Sequence, residues 1–250
     1  MPSRTGTRRR RRNDDWGWDS ASRRRVRPRT AYVPRGPRRN RLPSLQVDQD
    51  VYAATTAINV DTHGAKIGLV TNFLRGTSED ARHTNETILY KMSLDFYIMV
   101  NEVHQVYSGK SVCCCWLVYD AQPSGVEPEG NTIFYYNSDL RSQPTTWKVG
   151  REVCHRFVVK RRWVFTLETN GYKAGTVLPG NTGVPPCNRS IYFHKFCKRL
   201  GVRTEWKNSS GGTLGDIKTG ALYLVFAPGN AMGFKVQGVV RKYFKSVGNQ

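Results

Sequence analysis

The run "CHRFVVKRRWVFTLET" (residues 154–169) alternates its apolar side chains with a period of two. That period belongs to a strand, since a helix would need apolar positions every 3.6 residues. Read as an unbroken strand, it sets Phe157, Val159, Arg161, Trp163 and Phe165 on a core face and Val158, Lys160, Arg162 and Val164 on the other. Arg161 then points inward, so either a bulge re-aims it or it pairs with a buried acid such as Glu168 or Asp95. The opposite face places Lys160 and Arg162 side by side, a costly arrangement unless solvent or an anion meets them.

Outward from this run the same chemistry recurs. "VYAATTAINV" (51–60), "ETILYKMSLDFYIMV" (86–100), "SVCCCWLVYD" (111–120), "NTIFYY" (131–136), "RSIYFHKFCK" (189–198), "GALYLVFAPG" (220–229) and "KVQGVVRKYFKSVG" (235–248) are rich in β-branched and aromatic residues. "QPSGVEPEGN", "LPGNTGVPP" and "NSSGGTLGD" separate them with turn residues. Only "NSDLRSQPTTWK" (137–148) reads as a short helix, capped by Ser138 or Asp139 and ended by Pro144. About eight strands without amphipathic helices between them predict an all-β protein, an antiparallel sandwich or barrel. The long strand 86–100 is expected to bend or bulge. Residues 42–250 show no linker or repeat, so they read as one domain. Three of the six cysteines are adjacent (Cys113, Cys114, Cys115), and neighbours on a strand face opposite ways, which suits reduced thiols better than disulfides.

Residues 1–41 differ in kind. They hold fifteen arginines, no lysine and three acids, a net +12 of the chain's +20. So much like charge with so little apolar surface cannot offset chain entropy, so the segment reads as a disordered arm. Each guanidinium that meets a phosphate releases a condensed counterion and can bond it bidentately, so the arm's expected partner is a nucleic acid. The arginines assigned to that contact are Arg8, Arg9, Arg10, Arg11, Arg12, Arg23, Arg24, Arg25, Arg27, Arg29, Arg35, Arg38, Arg39 and Arg41. The clusters Arg8–Arg12 and Arg23–Arg25 also have the pattern that nuclear-import receptors read in extended peptides. No apolar run is long enough to span a bilayer, and no membrane partner is expected.

Within the domain, cations lie beside aromatic rings at Trp147 and Lys148, at Tyr192 and Lys195, and at Trp206 and Lys207. Together with His155, Arg156, Lys160 and Arg162 they form the candidate surface for a single strand, which is held without sequence preference by charge and stacking platforms.

"CHRFVVKRRWVF", "RSIYFHKF", "LGVRTEWKN", "GALYLVFAPGN" and "RKYFKSVGNQ", with "RHTNETILYKMSLDF" and "WLVYD", strongly resemble segments of geminivirus coat proteins, most closely the mastrevirus branch. The resemblance runs in matching order over roughly residues 42–250. It implies a single jelly-roll sandwich that assembles with copies of itself into a twinned, incomplete icosahedral shell around circular single-stranded DNA. It also implies a basic amino-terminal region that faces the DNA and directs the protein to the host nucleus through an import receptor, and a role in transmission that calls for an insect-vector receptor. Begomovirus members are described with a zinc-finger-like element near the amino terminus; this chain has no Cys or His before His63 and departs from that pattern.

Cys187, His194 and Cys197 fall within eleven residues, but "HKFC" on a strand sends His194 and Cys197 to opposite faces, so no metal site and no cofactor are expected. The nineteen acids are scattered and no H-E-x-x-H, G-x-x-x-x-G-K-[ST] or G-x-S-x-G motif occurs, which argues against an enzyme. "APGNAMG" lacks the lysine and helix that a phosphate-cradling loop needs. The rival to a shell protein is a non-assembling, single-strand-binding nuclear shuttle, which would want the same arm and sheet.

Overall fold

The computed structural model describes residues 45–61, 64–136, 143–172, 186–229 and 232–248; the basic arm lies outside them. Its strands are β1 (Gln46–Tyr52), β2 (Ile58–Val60), β3 (Lys66–Leu69), β4 (Glu86–Val100), β5 (Ser108–Asp120), β6 (Phe134–Tyr135), β7 (Lys148–Val149), β8 (Phe157–Asn170), β9 (Ser190–Cys197), β10 (Val202–Trp206), β11 (Ile217–Thr219), β12 (Ala221–Ala227) and β13 (Phe234–Val247). The larger sheet has the order β1-β13-β4-β10-β11, with β2 following β1 along β13 and β9 sharing β4 with β10. The smaller sheet has the order β3-β12-β5-β8.

Taking β1 with β2 and β9 with β10 as single broken strands, and setting aside the short β6, β7 and β11, leaves eight principal strands, whose chain order is 1-8-3-6 in one sheet and 2-7-4-5 in the other. That connectivity is a jelly roll, an antiparallel all-β sandwich of two Greek keys. Between the sheets the rings of Phe96 and Phe226 meet edge to face at 6.0 Å, and Phe165 meets Phe193 at 6.0 Å and Phe234 at 5.4 Å. Every residue of β12 is buried, as is the run Cys113–Val118 of β5. These strands are covered on both faces, which is why they read as continuous apolar runs rather than alternating ones. The second cover comes from the β5–β8 connection, where Trp116 lies 4.8 Å from Phe134 and 5.8 Å from Trp147, and Tyr136 stacks on Trp147 at 3.9 Å.

Several local expectations change. The segment 131–136 is not one strand: a helical turn, α1 (Gly130–Ile133), precedes the two-residue β6. Pro144 opens a 3-10 turn over Pro144–Thr146 instead of ending a helix, since a residue without an N–H fits the first position of a helical turn. Residues 137–142 of that expected helix lie outside the described residues. The strand expected at 51–60 starts earlier, at Gln46, and breaks at a turn closed by Thr56 N–H donating to the Ala53 carbonyl.

The β5–β8 register corrects the reading of "FVVKRRWVF". Leu117 faces Arg161 but its neighbour Val118 faces Val159, so Lys160 is an extra, bulged residue. Neighbours on β5 point to opposite faces, so Phe157 and Val159 do not share a face with Arg161, Trp163 and Phe165. Arg161 is not paired with a buried acid: it is exposed, and its guanidinium donates to the carbonyls of Lys160 (2.7 Å) and Lys198 (3.2 Å). Glu168 pairs instead with Lys110, and Asp95 with His194. All six cysteines are free thiols, and burial pushes the Cys113 thiol up to about 11.

Candidate nucleic-acid interface

The face of the larger sheet turned away from the sandwich follows from the register. On β4, Met92, Leu94, Phe96 and Ile98 are buried, so Lys91, Ser93, Asp95, Tyr97 and Met99 point outward. Their cross-strand partners share that face: Tyr243, Arg241, Val239, Gln237 and Lys235 on β13, and Phe196, His194, Tyr192 and Ser190 on β9. Beyond β13 the same rows continue with Val47, Gln49 and Val51 of β1. Tyr192 is 71% exposed, Tyr97 47% and Phe196 44%, so these rings stand free of the core. Arg241 donates to Gln49 Oε1 at 3.1 and 3.2 Å, and Lys198, just past β9, lies 5.6 Å from the Phe196 ring. Along these rows Asp95 is the single acid. Ser93 Oγ donates to it at 2.6 Å, Tyr192 OH at 3.3 Å, and His194 Nδ1–H also donates. The Ser93 hydrogen bond, then the bond and charge of His194, hold the Asp95 carboxyl below the usual carboxylate range. Exposed rings interleaved with cations suit the stacking of unpaired bases and the contact of phosphates.

A second cationic strip follows the open rim where the edge strands β8 and β9 approach. Trp163 meets Phe193 edge to face at 5.8 Å, Lys195 Nζ lies 5.5 Å from the same Phe193 ring, and Arg161 bonds the Lys198 carbonyl.

The residues expected from sequence to bind a strand divide. Tyr192 is on the outer face and Lys195 at the rim, both exposed. Lys148, His155 and Lys207 are exposed but lie elsewhere, Lys207 donating to the Gly215 carbonyl at 2.7 Å. Lys160 and Arg162 do not form one patch, because the bulge parts them. Lys160 lies 5.1 Å from the Tyr119 ring, whereas Arg162 donates to the Thr145 carbonyl at 2.5 Å. Trp147 and Trp206 are not stacking platforms. Trp147 is 6% exposed under Tyr136, and Trp206 is 3% exposed, donating to Thr87 Oγ1 at 3.0 Å beneath the Arg82 guanidinium. Nor is Arg156 free for phosphate, since Asp120 holds it through two bonds of 2.9 and 3.0 Å. The arm arginines, Arg8 to Arg41, lie outside the described residues. Among the described residues no three His, Cys, Asp or Glu side chains gather to hold a metal ion, and no helix is long and apolar enough to cross a membrane.

Residues 2–250 match the geminivirus coat protein/nuclear export factor BR1 family. The chain belongs to that family. It is 48% identical over 248 residues to the capsid protein of Panicum streak virus (isolate Kenya), covering 98% of this chain and 100% of that protein. It is 45% identical over 244 residues to the capsid protein of Maize streak virus genotype A (isolate South Africa), covering 98% and 99%. The capsid protein of Maize streak virus genotype C (isolate Set) is 48% identical over 208 residues, 83% of this chain and 85% of its own length. The mastrevirus affinity expected from the quoted segments is therefore met, and these relatives are capsid proteins.

The outward residues that sequence reading did not single out are Lys91, Tyr97, Phe196, Arg241 and Tyr243. One signal was available: in "YKMSLDFYIM" Lys91 and Tyr97 occupy positions that alternate with the fully apolar set Met92, Leu94, Phe96 and Ile98. It stayed hidden because an exposed tyrosine and a core tyrosine look the same until the register shows which face is covered.

Proposed function

We propose that this chain is a viral coat protein that assembles with copies of itself into a twinned, incomplete icosahedral capsid around circular single-stranded DNA, neutralising it with the basic arm and with the outer face of the larger sheet. The arm also engages a host import receptor through Arg8–Arg12 and Arg23–Arg25, carrying the genome into the nucleus, and the assembled virion supports spread by an insect vector. The observation that carries the DNA reading is the outer face, where Lys91 and Arg241 lie among Tyr97, Tyr192, Phe196 and Tyr243 with Asp95 as the one acid in these rows. Lysine and arginine supply the salt-dependent term, and the rings supply sequence-tolerant stacking.

The test is co-expression of the full chain with circular single-stranded DNA, followed by sedimentation, negative-stain microscopy and nuclease protection. Particles holding protected DNA are expected. Protein that binds the strand but stays unassembled at every concentration supports the nuclear-shuttle reading, which the matched family's description also accommodates. Replacing both Lys91 and Arg241 with glutamine is expected to weaken oligonucleotide binding uniformly across sequences and to lower the log-log salt slope by about 1–2.

A further inference from the structure

Asp95 and His194 occupy directly opposed positions of β4 and β9 on the outer face. The carboxylate can only accept, so its bond to His194 fixes the ring hydrogen on Nδ1 and turns Nε2 away from Asp95. The imidazole is held further by Tyr192, whose ring lies nearly parallel to it, at 10° and 6.3 Å between centroids. Its side chain is 55% exposed, and among the described residues Nε2 has no hydrogen-bond partner. A carboxylate at the centre of a cationic surface works against a polyanion, yet here it orients a group that can carry a positive charge outward.

We propose that His194, oriented by Asp95, is a proton-linked phosphate contact, so that this face holds single-stranded nucleic acid more tightly in mild acid than at neutral pH. The inference rests on the assignment of the outer face to DNA. With a neutral ring, Nε2 presents a lone pair to an approaching phosphate oxygen. With a protonated ring it presents an N–H, and the bond becomes charge-assisted. Histidine changes charge between about pH 5 and 8, whereas Asp95, held low by Ser93 and His194, stays ionised through that window. Protonation therefore takes the pair from −1 to neutral and adds a donor at the same time. The groups facing His194 are Asp95, Ser93 and Tyr97 from β4 and Tyr192 and Phe196 from β9; Arg241 of β13 lies one strand further, opposite Ser93. Ser93 and Phe196 carry no ionisable group, and aspartate, tyrosine and arginine side chains do not ordinarily change charge between about pH 5 and 8. By linkage, a strand that prefers the protonated ring takes up a proton on binding, and one such proton bounds the effect at about tenfold per pH unit.

The measurement is fluorescence anisotropy of labelled oligo(dT) with the full chain at constant ionic strength from pH 5.5 to 8.0. Calorimetry in buffers of different ionisation enthalpy at pH 6.5 reports the proton directly. The wild-type chain is expected to bind about three- to tenfold more tightly at pH 5.5 than at pH 7.5, with proton uptake. His194→Gln is expected to lose most of that pH dependence and to lose the uptake. If His194→Gln keeps the wild-type pH profile and uptake, the inference is overturned; the face itself still stands if Lys91→Gln/Arg241→Gln weakens binding at pH 7.5. If that double variant binds like wild type, the face assignment fails, and the inference with it. Thermal unfolding of each variant, expected to be unchanged for these exposed side chains, separates lost contact from lost fold.

Discussion

Lys242 has no exposed side-chain surface, and its ammonium is met by Asp48 at 2.5 Å, by Asp50 at 2.8 Å, by Asn72 and by the Phe73 ring at 5.3 Å. Arg82 is likewise buried. It donates to the carbonyls of Phe73, Thr84, Ser209 and Gly211 while lying 4.5 Å over Trp206, so it ties together the loops that precede β4 and β11. Burial, and then the charge of Arg75, lowers its pKa, in keeping with an ion held by neutral acceptors. Neither residue looks different in sequence from the half-buried Lys245 or the exposed Arg75, because charge type does not reveal burial. Trp147 and Trp206 carry the same lesson in reverse: each stands beside an exposed lysine in the chain, yet each ring fills the core. Removing the buried ammonium strands two carboxylates, so Lys242→Met is expected to cost about 3–5 kcal/mol in urea unfolding. Adding Asp48→Asn and Asp50→Asn to it is expected to restore part of that loss. A Lys242→Met chain of wild-type stability would show that the cluster contributes nothing to the fold.

Strands of this length need irregularities, and both bulges bear on the site. Tyr90 is the extra residue in β4, where Lys91 faces Tyr243 but Leu89 faces Phe244, so the outward set shifts from odd to even numbering across it. Lys160 does the same in β8 and turns an expected two-cation patch into two cations with separate surroundings. A period-two pattern predicts the element well and its faces only as far as the first bulge. Where β13 crosses β4 the constraint is different. Gly238 has φ +142°, and a Cβ there would lie 2.0 Å from the Asp95 carbonyl oxygen. Only a residue without a side chain lets the two strands pair at the point where Asp95 is displayed. Gly238→Ala is expected to cost at least about 1–3 kcal/mol and to weaken oligo(dT) binding by shifting Asp95 and His194 together. Thermal unfolding and anisotropy on the same preparation check both halves.

At the scale of the whole chain, charge is divided between a segment that carries +12 in its first 41 residues and a domain that carries +8 in the rest. If about ten arm arginines neutralise phosphates, the log-log salt slope for single-stranded DNA is expected near about −7, and removal of residues 1–41 to abolish most of it while the domain still melts cooperatively. An undiminished slope in the shortened chain would assign the charge term to the sheet instead. Composition, turn residues and period-two runs were enough to establish an all-β chain with a basic arm, because these depend on local backbone preference and on charge counted along the chain. That the long apolar runs at Cys113–Val118 and Ala221–Ala227 are strands covered on both faces came from the structure. The pairing of β4 with β13 and β9, the bulges at Tyr90 and Lys160, the burial of Trp147, Trp206, Lys242 and Arg82, and the meeting of Asp95 with His194 came only from tertiary structure. Asp95 and His194 are 99 residues apart in the chain. Which strands lie side by side, and which face of each is covered, is decided by the packing of two sheets against each other, and a side chain's role on a strand depends on that face rather than on its neighbours in sequence.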